Sequence, residues 1–136
     1  MTGTDRSPKV RFRLANYREW TVVLLGTVVL SWLGLFIHNI SDLPGQTILS
    51  TESAYPTLVY LVLVAFWLTP WRRIAELLLL VWVLLQLIGG AIISVLPLPF
   101  LPFHPEQTLH HYLFHVIYGL LQIPALIILI SRRRGQ

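Results

Sequence analysis

Five histidines, His38, His104, His110, His111 and His115, are the side chains in this sequence best suited to metal or proton chemistry. His111 and His115 stand four residues apart, a spacing that on a helix turns both imidazoles to one face, where they can approach a single metal ion. Asp42 follows His38 at the same interval. His38, Asp42, His111 and His115 are therefore the candidate metal set, three imidazoles and a carboxylate. Such nitrogen and oxygen donors suit zinc, manganese, iron or copper(II) and do not select among them.

A second reading takes His38 and His115 as the axial pair of a b-type haem. A divalent metal is preferred, because only Gly34 and Gly119 offer small residues past which the haem edges would run. A third reading is proton chemistry, since imidazole titrates near neutrality and an inward-facing His115 could relay protons. Against all three stands a plain alternative. His110 and His111 would lie in the head-group region, His38 would mark a helix end, and His104 would sit on the surface.

The sequence excludes other chemistry more firmly. It contains no cysteine, so disulfides, thiolate catalysis, iron–sulfur clusters and thiolate zinc sites have no ligands. No nucleophile–base pair, phosphate-binding loop or paired carboxylates can be identified, and no catalytic residue is assigned. The net charge of +4 falls in short clusters beside apolar runs, a membrane pattern and not a nucleic-acid one.

The elements that must carry the histidines follow from hydropathy. Of the 136 residues 55% are hydrophobic and 12% charged, against about 25% charged in typical soluble chains. A helix needs about 20 apolar residues to cross a bilayer. Four stretches are expected to do so, at about 20–38, 55–68, 74–96 and 111–130, giving an all-α, antiparallel up-down bundle of four helices. The second stretch is the shortest, helped by Trp67 and Trp71 at the interface, and Thr69-Pro70 reads as an N-cap and first helical residue for the third. The first is expected to be an uncleaved anchor, because Phe36-Ile37-His38-Asn39-Ile40 offers no small-x-small cleavage site.

Orientation follows from Lys and Arg, which are retained in cytoplasmic segments. All ten fall in residues 1–19, between the second and third stretches, or in residues 131–136. Arg18, Arg72, Arg73, Arg132, Arg133 and Arg134 are expected to act as cytoplasmic anchors, and the Arg-tipped ends, Arg11 to Arg18 and Arg132 to Arg134, to touch anionic lipid head groups. Both termini are then cytoplasmic, and segments 39–54 and 97–110 are outer loops. The first outer loop reads as a solvated connection. The second, with Pro97, Pro99, Pro102 and Pro105, cannot be regular helix and is expected to lie across the outer rim. Glu76, a turn from Arg72 and Arg73, reads as half of a boundary ion pair.

Within the apolar stretches, polar and small residues recur at helical spacing. His111, His115, Tyr118 and Gln122 follow at intervals of 4, 3 and 4, as do Thr27, Ser31, Gly34 and His38. Gln86, Gly90 and Ser94 form a matching face, and Thr57, Tyr60 and Val64 a weaker one. Polar groups facing lipid are costly when unsatisfied, so these faces should point inward. Thr27, Ser31, Gln86, Tyr118 and Gln122 form an expected intramembrane polar layer. Pro124 frees the Leu120 carbonyl and favours a kink, with Gln122 or Gln86 as a donor to that carbonyl.

These features fit a small multi-pass protein of the cell membrane, with a bacterial plasma membrane favoured. The leading expectation is a non-catalytic membrane subunit or binding protein with an outer metal site. Its partners would be the lipid bilayer and either a larger membrane protein or further copies of itself. A haem-binding or metal-dependent redox protein is the alternative, and an oligomeric transporter a third class.

Overall fold

The computed structural model describes residues 17–134; Arg6, Lys9, Arg11 and Arg13 lie outside them. The described residues are all-helical, without strands. In chain order they form α1 (Tyr17–Asp42), α2 (Thr51–Trp67), α3 (Arg72–Leu85) and α4 (Leu109–Arg134), with a π-helical segment, Gln86–Ile93, continuing α3. Three helices, Arg18–Asp42, Arg72–Ile93 and Leu109–Arg134, are long and apolar enough to cross a membrane. The 17 residues of α2 rise only about 26 Å.

Helix α1 packs most extensively against α4, α2 against α3, and both α3 and its π segment against α4. Leu24, Val28, Leu79, Val83, Ala125 and Leu129 are buried where these helices meet. Close approach depends on Gly34: a Cβ there would lie 2.9 Å from Leu121 Cβ and 3.2 Å from the Tyr118 carbonyl oxygen. Gly90 makes room for the Tyr118 ring in the same way. Small residues at such crossings let backbones touch. Gly34→Val is expected to part α1 from α4 and cost about 1–3 kcal/mol, the usual range for overpacking, read as a lower unfolding midpoint in detergent.

The inward faces meet in polar contacts. Ser31 hydrogen-bonds to Gln122 Oε1 and to Tyr60 Oη at 2.6 Å, while Gln122 Nε2 donates to the Ser31 carbonyl at 2.9 Å. Tyr118 donates to Gln86 Oε1. The layer is thus two separate groups. Thr27 belongs to neither, because its hydroxyl donates to Leu24 in its own helix at 2.9 Å. Gln122 does not serve the Leu120 carbonyl, its amide being directed to Ser31, and α4 runs unbroken through Pro124. Gln122→Leu is expected to lower stability by about 1–2 kcal/mol, since interhelical hydrogen bonds in membranes average about 0.6 kcal/mol each.

Pro56, inside α2, has no N–H for the carbonyl of Glu52, four residues earlier. Asn39 of α1 takes that vacated acceptor: its Nδ2 donates to Glu52 O at 3.0 Å and to Ser53 Oγ at 3.1 Å. Asn39–Asp42 and Thr51–Ala54 are helical, and the first connection shrinks to residues 43–50, turning at Gly45 with φ +70°. Thr69 does not cap α3. Its hydroxyl donates back to the Phe66 carbonyl at 2.6 Å and accepts from the Trp71 amide at 3.2 Å, and α3 begins at Arg72.

At the end of the molecule away from the histidines, Glu76 is 1% exposed. Its carboxylate meets Arg132 Nε of α4 at 2.6 Å and accepts from Trp67 Nε1 at 3.0 Å. The Arg132 guanidinium lies over the Trp20 and Trp67 rings, 5.5 and 5.6 Å from their centroids. Trp67 is fully buried, and Arg132 turns inward while Arg18, Arg72, Arg73, Arg133 and Arg134 are exposed. The pairing ties the start of α3 to the end of α4, so Glu76 joins two helices.

Candidate metal centre

The C-terminal turn of α1 supplies His38 and Asp42, and the first two turns of α4 supply His111 and His115. One donor atom from each of these four residues lies within 4.8 Å of every other. The Nε2 atoms of His38 and His115 are 2.9 Å apart. Asp42 Oδ2 lies 3.2 Å from His38 Nε2 and 2.7 Å from His111 Nδ1. The ring centroids of His111 and His115 are separated by 4.4 Å.

The surrounding hydrogen bonds determine which nitrogen of each ring carries the proton. His115 Nδ1 is 3.1 Å from the Ala91 carbonyl, which only accepts, so Nδ1 donates and the Nε2 lone pair is left free. His38 Nδ1 faces Asn39 Oδ1 at 3.2 Å. The Asn39 amide cannot be turned around, because its nitrogen donates to Glu52 and Ser53, so here too Nδ1 is the donor. His111 Nδ1 donates to Asp42, and its Nε2 is buried with no hydrogen-bond partner. All three rings thus point Nδ1–H at a fixed acceptor, the usual outer arrangement of metal-binding histidines, while His38 Nε2 also faces the acceptor Asp42 Oδ2 at 3.2 Å and is open to a cation only when it carries no second proton.

This leaves an excess of acceptors. With both Nδ1 atoms donating, the facing Nε2 atoms of His38 and His115 are two lone pairs at 2.9 Å, beside a carboxylate oxygen. Such a group is satisfied by a shared proton or by a cation. Two zinc–nitrogen bonds of about 2.0–2.1 Å at a tetrahedral angle place their nitrogens roughly 3.3–3.4 Å apart, so a slight opening of the pair would accommodate the ion. A haem between His38 and His115 fits poorly, since a porphyrin plane would have to part these nitrogens. The glycines it would need are already occupied, Gly34 by Leu121 and Gly119 by Ala91.

The Ala91 carbonyl is available because of the local helix geometry. Ala91 lies in the last turn of the π segment, where carbonyls lack partners from their own helix. The wider winding falls at Gly89-Gly90, and π turns often accompany functional sites. Above the histidines lies a cavity of about 350 Å³, lined by the four candidate ligands with Leu43, Ser94, Phe103, His104, Pro105 and Glu106. The Pro-rich connection therefore borders the site, and His104, expected simply at the surface, is exposed yet faces this cavity. Ser94 donates to the Gly90 carbonyl of its own helix.

Comparison with protein-family models, with curated proteins and with solved structures finds no match. Sequence reasoning missed Asn39 and Ala91, and left His110 out of the candidate set. Asn39 falls where a loop was expected, and Ala91 acts through its backbone. His110, beside the candidate pair, has Nε2 3.6 Å from Asp42 Oδ1.

Proposed function

We propose that the protein is a small plasma-membrane protein that binds one divalent transition-metal ion, with zinc the first choice, through Nε2 of His38, His111 and His115. Asp42 orients His111 and contributes the negative charge. The observation that carries this reading is the common orientation of the three imidazoles, each with Nδ1 engaged and Nε2 left over. Three imidazoles suit zinc and copper(II) better than the oxygen-preferring magnesium or calcium.

The chain crosses the bilayer four times in this reading, with both termini cytoplasmic and the histidines near the outer surface. The basic residues support it, as do the apolar side chains on the outward faces, among them Val22, Leu61, Leu85, Leu113 and Ile127, each at least half exposed. Helix α2 completes the bundle despite its length, because its polar Thr57 receives Trp32 Nε1 at 2.8 Å and its Tyr60 joins Ser31. The function is binding without catalysis, as a subunit beside a larger membrane protein or further copies of itself. Metal content of protein purified in mild detergent and loaded with zinc tests this. One ion per chain is expected, lost in His111→Ala/His115→Ala; equal zinc in both proteins would contradict it.

A further inference from the structure

We propose that His110 is a transfer ligand, the solvent-facing station through which the metal ion reaches and leaves the buried histidines; this rests on the metal reading above. The Asp42 side chain is 6% exposed and presents its two oxygens to different neighbours. Oδ2 faces His38 and His111, whereas Oδ1 is buried without a hydrogen-bond partner and lies 3.6 Å from His110 Nε2. The His110 side chain is 60% exposed, against 14% for His38 and 13% for His111.

A separation of 3.6 Å suits two donors on one ion, for which bonds of about 2.0–2.2 Å give roughly 3.4 Å. The His110 ring is held in place, Nε2 resting 3.1 Å from the Ser41 carbonyl and the Phe114 ring packing at 4.7 Å. An ion arriving from water must shed its hydration stepwise before reaching the buried imidazoles. His110 and Asp42 Oδ1 replace the first waters while the ion is still partly hydrated. Asp42 then passes it across its own carboxylate to the inner nitrogens. Apart from the metal–ligand bonds only one proton moves: it leaves His110 Nε2, which faces the Ser41 carbonyl, and is replaced by one from solvent on Nδ1, so the ring stays a neutral imidazole.

A station on the path lowers the barrier in both directions, so it changes rates and not affinity. Cobalt(II) binding to full-length protein in detergent, followed by visible absorption, separates the two; release is driven by excess chelator. His110→Ala is expected to slow association and release by a common factor of about ten, which is about 1.4 kcal/mol of barrier, with stoichiometry and affinity unchanged. His104→Ala, on the same cavity, serves as the control and should leave both rates as they are. Unchanged rates in His110→Ala would overturn the transfer role, and so would weaker affinity with unchanged association, which would make His110 a ligand of the resting ion. Failure of the unsubstituted protein to bind cobalt would overturn the metal reading itself, and the transfer role with it.

Discussion

His115→Ala is expected to reduce zinc affinity by more than 100-fold while the helices remain folded. Loss of an outer partner of a metal ligand already costs about 10–100-fold, and His115 is a direct donor. It is also the most buried of the three rings, and its Nε2 faces His38 at 2.9 Å. A companion effect should appear in stability: zinc at about 100 times its dissociation constant adds about 2.7 kcal/mol to the native state, and a chelator removes that increment. Titration calorimetry gives the affinity, and thermal unfolding with and without chelator gives the increment. Equal affinities in the two proteins, or unfolding indifferent to zinc, would count against His115 as a ligand.

Arg132→Met is expected to cost about 3–5 kcal/mol, the range for breaking a buried ion pair by removing one partner. The Glu76 carboxylate, 1% exposed, would lose the guanidinium 2.6 Å away and keep its burial. Removing both charges should be far milder, because apolar replacement of a buried pair is often neutral. Unfolding of Glu76→Leu/Arg132→Met should therefore lie closer to the unsubstituted protein than either single variant does. Simple addition of the two losses would show that the pair is not coupled.

Much of this arrangement could be read from spacing, and what could not has specific causes. The interval of 4, 3 and 4 residues assigned the inner face of α4, where His115, Tyr118 and Gln122 are buried and Ala125 and Leu129 continue the stripe. It assigned Ser31, Gly34 and His38 in α1 equally well and failed for Thr27, which has a carbonyl of its own helix within reach. The juxtaposition of His38 and Asp42 with His111 and His115 was legible because helices α1 and α4 both carry polar residues at one end. Tautomers were not legible, since they depend on the Ala91 carbonyl and on an Asn39 amide held by the gap that Pro56 leaves. Nor was one partner of Glu76: sequence proximity points to Arg72 and Arg73, and the chain's return also brings Arg132 to it from 56 positions away.

X-ray absorption at the zinc edge of the loaded, detergent-purified protein decides whether the histidines hold the metal, because it reports the donors around it. The expected result is one zinc per chain, four-coordinate, with imidazole scattering from three histidines and metal–nitrogen distances of about 2.0–2.1 Å. A protein that retains no zinc, or zinc surrounded by oxygen without imidazole scattering, would contradict it.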